Sequence, residues 1–400
     1  MRPMKRAGAA LRRRPNREWL GWAALLVLAA ALRLVALDRQ GYGNTYYATA
    51  VQSMLADWRL FFFAAFDGGG FVSVDKPPLG LWAQAASARM LGFDGVALAL
   101  PQALAGVGSV LLTAALVRHA YGAGAGLLAG LLLAMTPVAV VTDRNNTMDA
   151  LVVLAMVLAA RAATLAAESG RTRWLVAAFV AVGVGFNVKM LQAYLVLPAA
   201  ALAYALAAPR TWRAKAASLT AAGGALLAVS LSWAVVVDLT PPAERPYVGS
   251  SGTNSALSLA LGYNGIGRLA KAVGADLGVV EGFGLRLDLA EAPGFAPDIG
   301  APGWARPFNP GLGGQASWFL APALVGFAVA AWRPNARVAC DRERARRRIA
   351  LLLWGGWLAT AALYFSTADF FHTYYLVAIA PPIAALAAIG AAEGWRTLRE

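Results

Sequence analysis

The sequence predicts an all-α polytopic membrane protein of about ten transmembrane helices. Three observations lead there. Of the 400 residues, 59% are hydrophobic and 14% charged, with a mean hydropathy of +0.57; a soluble domain carries about 25% charged residues. Apolar runs of about 20 residues recur, the length a helix needs to cross a bilayer. Lys and Arg gather in the short connections between those runs, where they set topology. The net charge of +14 is thereby explained without a nucleic-acid partner.

The elements follow in chain order. Residues 1–18 form a basic N-terminus, with seven Lys or Arg before Glu18, and are expected in the cytoplasm. The first span, 19–37, contains Arg33 and has no small-residue cleavage site, so it reads as a retained signal anchor. A first outer loop covers 38–95. Spans at 96–117, 123–141, 150–168, 174–188, 191–207 and 219–237 follow, joined by Arg118-His119, TDRNNTMD, SGRTR, Lys189 and PRTWRAK in turn. A second outer loop covers 238–315. The last spans are 316–331, 349–364 and 376–391, and 395–400 form a tail. Both termini fall inside, and 19–394 form one domain. The inner connections hold 22 of the 35 Lys and Arg but six of the 21 acids, so 15 acids lie elsewhere.

The first outer loop is too long and too regular for a connector. Ala50, Met54, Leu55 and Trp58 recur at helical spacing, which suits an interfacial helix. LGLWAQAASARMLG reads the same way, with Pro77-Pro78 at its start, where proline is tolerated. The second outer loop is rich in Gly and Pro, with one amphipathic helix expected over 256–273. A single cysteine, Cys340, excludes an internal disulfide. Two histidines exclude a histidine-rich metal site and leave room for a carboxylate site for Mg²⁺ or Mn²⁺. No Walker, Rossmann, HExxH, GxSxG or solenoid pattern is present.

Polar clusters on the outer side carry the chemistry. Asp75-Lys76-Pro77-Pro78 sets a compact cation, suited to phosphate, on a proline-fixed backbone; an interfacial ion pair would read the same. Asp67 precedes it in the same loop. In Asp143-Arg144-Asn145-Asn146-Thr147-Met148-Asp149, Asp149 opens a helix, where a carboxylate caps and meets the dipole. Asp143 and Arg144 could pair with each other. Lys189 lies at membrane depth, where an ionisable group implies a partner: an anionic ligand or an outer Asp. Arg268 could fork onto a phosphate, or be a plain surface arginine. His372 stands beside Tyr374 and Tyr375 as a catalytic or an interfacial group.

The segments GNTYYATAVQSM, FFFAAFDGGGFVSVDKPPLGLW, DRNNTMDALVV and HTYYLVAIAPP resemble the bacterial branch of the protein O-mannosyltransferase family. These are membrane glycosyltransferases of the GT-C fold, related to the aminoarabinose transferase that modifies lipid A. The resemblance runs from about Trp19 to Ala391; some members continue into a soluble C-terminal region. It implies a GT-C-like bundle that moves a sugar, with inversion, from a polyprenyl-phosphate donor to a glycan, lipid or protein acceptor on the outer face of a bacterial cell membrane. A polyprenyl-phosphate-sugar synthase would be the pathway partner. It implies Lys76 as a donor-phosphate contact, Asp75 as a metal or substrate ligand, and Asp149 as the acid of the later turn, with Arg268 a weaker phosphate match. Members often carry an Asp-Glu pair before the loop tyrosines, and Gly43-Asn44 stand there here. An amide takes no proton as a carboxylate does. The base then comes from Asp67, Asp75, Asp143 or Asp149, while Asn44, Tyr46, Tyr47, Arg144, Asn145, Asn146, Lys189, His372 and Tyr375 complete the expected substrate site. A lipid-linked-sugar flippase or other transporter, and an inactive scaffold, are the alternatives.

Overall fold

The computed structural model describes residues 18–266, 279–282, 285–288, 299–332, 340–368 and 370–398. Its frame is a helical bundle. Helix α1 (Glu18–Leu34) leads into the loop expected on the outer side, called the first outer loop for that expectation, which carries α2 (Thr45–Met54), α3 (Trp58–Phe62) and α4 (Leu79–Leu91). The loop helices expected from apolar spacing are α2 and α4. Asn44 caps α2 by accepting from the amides of Tyr46 and Tyr47 at 3.0 and 3.3 Å.

The bundle continues with α5 (Gly95–Tyr121), α6 (Ala123–Met135), α7 (Pro137–Asp143), α8 (Asp149–Ser169), α9 (Thr172–Lys189), α10 (Leu197–Ala207) and α11 (Trp212–Leu239). Helices α6 and α7 occupy the expected third span but bend by 64° between them. Pro137 causes the bend, because it lacks the N–H that would continue the ladder and forces Thr136 into extended backbone (ψ 119°). Between α9 and α10 the chain reverses at Met190 (φ 51°, ψ −136°). Arg210, after α10, then reaches the carbonyl of Gly170, before α9, at 3.3 Å. The segment therefore leaves one end of the bundle and comes back to it.

In the second outer loop, α12 (Ala256–Leu261) is shorter than the helix expected over 256–273: a kinked turn at Gly262–Ile266 ends it, and residues 267–273 lie outside the described residues. A short hairpin of β1 (Val279–Gly282) and β2 (Leu285–Asp288) pairs Val279 with Asp288, an element the all-α expectation did not include. The chain closes with α13 (Pro310–Gly313), α14 (Leu320–Trp332), α15 (Asp341–Thr367) and α16 (Ala380–Leu398). Helix α15 begins eight residues before the expected span, because DRERARRR winds on as helix, with acids in its first turn.

Among the described residues, seven helices are long and apolar enough to cross a membrane, or eight if the bent pair is one span. The expectation of ten differs at two places. Residues 172–207 pass as one apolar segment, yet they reverse at Met190. The apolar helix over Ser317–Trp332 is shorter than a full crossing. The core runs through α5, α8, α10, α15 and α16 and is built on Ala, Val and Leu, with the stacked pair Trp354–Trp357 (5.7 Å) at its centre.

Candidate active site

Three of the expected polar clusters meet at one end of the bundle. Asp149 is the first residue of α8 and Lys189 the last of α9, two antiparallel neighbours. The helix ends bring them together across 40 residues, and Lys189 Nζ donates to both Asp149 carboxylate oxygens at 2.6 Å. Gln192 Nε2 adds a contact to Oδ1 at 3.4 Å. The ammonium also sits 3.8 Å over the Tyr375 ring and 5.0 Å over Tyr374, a cation–π arrangement strengthened by burial. His372 stacks on Tyr374 with ring centroids 5.1 Å apart.

The second cluster lies in the first outer loop. The Lys76 ammonium pairs with the Asp75 carboxylate, and donates to the Asp75 carbonyl at 3.1 Å and to Asn264 Oδ1 at 3.0 Å. Asn264 Nδ2 returns to the Asp75 carbonyl at 2.8 Å, and Lys76 lies 5.5 Å over the Tyr263 ring. The second outer loop thus closes over Asp75-Lys76. The Tyr46 hydroxyl accepts from the Asp75 amide at 3.3 Å.

Tyr47 feels the electrostatics of both clusters. Burial, and then the charges and dipoles of Asp75, Tyr374, Tyr375 and Asp149, hold its hydroxyl well above the ordinary tyrosine value. All four groups are therefore within electrostatic reach of one buried phenol, which stays protonated and able to donate. Burial and the Asp75 charge push Tyr46 in the same direction.

The remaining expected residues divide. Asp143 pairs with Arg33 (2.7 Å) rather than with Arg144, because α7 ends against α1. An alanine methyl at Gly106 would collide with both Asp143 and Arg33, so a side chain at this position of α5 would displace the pair. Arg144 donates to the carbonyls of Leu32, Val35 and Ala36 at 3.1, 2.9 and 3.0 Å and so closes the C-terminus of α1. Asn146 and Asn44 exchange two hydrogen bonds: Asn44 N to Asn146 Oδ1 at 2.7 Å and Asn146 Nδ2 to Asn44 O at 2.9 Å. Gly43 (φ +62°) lies against them, where a methyl would come within 2.8 Å of Asn146 Oδ1. Asn145 Oδ1 accepts from the Thr147 amide at 3.1 Å. Asp67 organises its own loop, accepting from the amides of Gly69, Phe71 and Val72. Burial works against its ionisation, but those amide bonds outweigh it and hold the carboxyl below its usual value. Arg268 lies outside the described residues.

Residues the sequence reading passed over include Gln192, which touches Asp149, and Gln84, whose Nε2 donates to the Asn146 carbonyl at 2.7 Å. The sequence signal for Arg33 was an arginine inside an apolar run; a glutamine on a helix gives no such signal.

An apolar groove of about 360 Å³ opens between the first outer loop, α9 and α11, lined by Phe62, Pro78, Trp82, Val184, Trp233 and Val236. Among the described residues no three His, Cys, Asp or Glu side chains gather as a metal site, and the Asp75 carboxylate is engaged by Lys76.

The site can be set beside known proteins. Residues 75–233 match the family model described as dolichyl-phosphate-mannose-protein mannosyltransferase. YkcB of Bacillus subtilis, named as a candidate mannosyltransferase, is 37% identical over an alignment covering 94% of this chain and 61% of its own length. The chain thus spans about three fifths of that relative. ArnT from Cupriavidus metallidurans bound to undecaprenyl phosphate superposes with a TM-score of 0.61 at 19% identity, over 92% of this chain and 60% of that one. The archaeal oligosaccharyltransferase AglB from Archaeoglobus fulgidus, in complex with an inhibitory peptide and a dolichol-phosphate, gives 0.52 at 13% identity, over 93% and 50%. The matched segment begins at Asp75 and runs through Asp149 to Lys189 and beyond, so the family signature and the converging ion pairs coincide in a chain that is similar to these mannosyltransferases in sequence and to ArnT in fold.

Proposed function

We propose that the protein is a glycosyltransferase that moves a sugar from a polyprenyl-phosphate carrier to an acceptor hydroxyl on the outer face of a bacterial plasma membrane, with both termini in the cytoplasm. The observation that carries this reading is the pairing of Lys189 with Asp149 under Tyr375, together with an Asp75–Lys76 pair held by Asn264 and Tyr46 in the same loop whose Pro78 lines an apolar groove. The groove suits an isoprenoid chain. Lys76 suits the carrier phosphate, with Arg268 as a second cation.

Of the three buried-pair carboxylates, Asp75 fits the base best. Its side chain is 17% exposed, against 4% for Asp143 and 0% for Asp149, and a base must reach its proton. Phosphate binding gives Lys76 a new anion, and Asp75 is then released to act. The acceptor oxygen attacks the anomeric carbon from the face opposite the phosphate, and its proton passes to Asp75. The bond from that carbon to the phosphate oxygen breaks, and the electron pair leaves with the carrier phosphate. That phosphate gains one negative charge, which Lys76 meets where it develops. Asp149–Lys189 holds the aromatic floor, and the Tyr47 hydroxyl donates to a sugar or phosphate oxygen. A polyprenyl-phosphate-sugar synthase would supply the donor; the acceptor is a glycan, a lipid or a protein.

The test is reconstitution of the full chain in nanodiscs with synthetic polyprenyl-phosphate sugars and candidate acceptors, read by mass spectrometry with and without EDTA. Covalent product from wild type, lost in Asp75→Asn, supports the reading. Full activity in Asp75→Asn removes Asp75 as base. Donor flux across proteoliposomes without covalent product replaces the enzyme with a flippase. Loss of product with EDTA, restored by Mg²⁺ or Mn²⁺, adds a divalent ion to the site.

A further inference from the structure

At the end of the bundle opposite the candidate active site, several cations pair with acids. Arg118 pairs with Glu18, His119 and Arg346 with Glu168 at 2.6 and 3.5 Å, and Arg347 and Arg396 with Glu393 at 3.2 and 2.8 Å. One corner differs. Gly170, Arg171, Thr172, Arg173 and Arg210 line a concavity of about 620 Å³. Among the described residues, no carboxylate pairs with Arg171, Arg173 or Arg210, and all three are exposed.

This corner is organised. Arg210 Nη1 donates to Thr172 Oγ1 at 2.8 Å, Ser218 Oγ at 3.2 Å and the Gly170 carbonyl at 3.3 Å, which fixes the connection after α10 against the one before α9. The guanidinium of Arg173 lies 5.4 Å over the Trp174 ring, and Lys215 lies 5.0 Å over Trp212. Trp212 is exposed, as are Leu202 and Leu206 on α10. Tryptophans between an apolar helix surface and a basic loop mark the headgroup level of a bilayer. The concavity therefore opens at headgroup depth, beside a lipid-facing surface. Arginine forks match phosphate oxygens, and basic pockets between transmembrane helices take acidic headgroups.

We infer that the Arg171–Arg173–Arg210 concavity binds the phosphate headgroup of an anionic glycerophospholipid, in the leaflet opposite the candidate active site. The inference does not depend on which reaction the other end performs. It is tested by native mass spectrometry of the full chain in detergent, titrated with phosphatidylglycerol or phosphatidylcholine. Wild type should bind phosphatidylglycerol saturably and in preference to phosphatidylcholine. Arg171→Ala with Arg173→Ala should weaken that binding roughly thirtyfold, with Arg210 retained because it holds the two connections together. Arg342→Ala with Arg348→Ala removes the same charge from exposed positions on α15 and should leave the affinity unchanged. Equal loss in both double variants, or equal binding of the two lipids, overturns the inference. Displacement of the lipid by inorganic phosphate also overturns it, in favour of a soluble phosphate ligand. If the double alanine fails to fold, Arg171→Lys with Arg173→Lys keeps the charge and removes the fork; an unchanged phosphatidylglycerol affinity in that variant sinks the inference.

Discussion

Two lysine–aspartate pairs stand within reach of the same tyrosine, yet they are built differently. Lys189 and Asp149 belong to two rigid helices, and their side chains are 4% and 0% exposed. Lys76 and Asp75 are adjacent in a loop, and their side chains are 4% and 17% exposed. The first pair is held by the packing of α8 on α9. The second is held by contacts to Asn264 and Tyr46, which come from other loop segments. A buried pair whose partners are fixed by helices resists exchange; a loop pair can trade its anion for an incoming phosphate. The contrast separates a structural floor from a working group that shares its chemistry.

Mutation can break that contrast. The largest effect is expected at the floor. Lys189→Ala leaves the Asp149 carboxylate buried without its cation and should destabilise the protein by about 3–5 kcal/mol, read as a fall in thermal unfolding temperature in detergent. Asp149→Asn with Lys189→Gln should recover part of that loss, since neither charge is then stranded. Lys76→Ala should behave in the opposite way, losing about a hundredfold or more in transfer rate with little change in unfolding temperature. If Lys76→Ala unfolds the protein as Lys189→Ala does, the two pairs are alike and the contrast fails. Next in size, Asn44→Ala removes the cap of α2 and should cost about 1 kcal/mol, visible as faster proteolysis of the first outer loop. The smallest effect concerns pH. The Asp67 carboxyl is held below its usual value, so its contribution is complete above the unfolded value near about 3.9 and fades as pH falls through the lower folded value. Proteolysis of the 67–72 turn should therefore change little from neutral pH down to mild acid and then rise. Asp67→Asn should make it faster at neutral pH.

The sequence made the helical frame legible because apolar length is a one-dimensional property, and Lys189 declared itself by standing between two apolar runs. Its partner was foreseen as an outer aspartate or a ligand, and the aspartate is Asp149. Less could be read where partners are set by packing. Asp143 and Arg144 are neighbours in sequence and stood as a local pair, but α7 delivers Asp143 to Arg33, 110 residues away. Arg144 is left to the end of α1. Gly43-Asn44 read as the absence of a family acid pair. The φ of Gly43 and the bonds of Asn44 give that dipeptide a scaffolding task that the pattern alone could not disclose. The 64° bend at Pro137 was written in the proline, but its direction belongs to the tertiary structure.

The two bonds between the Asn146 side-chain amide and the main chain of Asn44 bear on how this protein and its relatives could exchange parts. They couple the first outer loop to the turn between α7 and α8 in one fixed register, with Gly43 leaving no room for a bulkier neighbour. Loop and turn are therefore joined as one structural unit. A chimera that imports residues 38–95 from a relative would need residues 143–149 from the same donor to reproduce that joint.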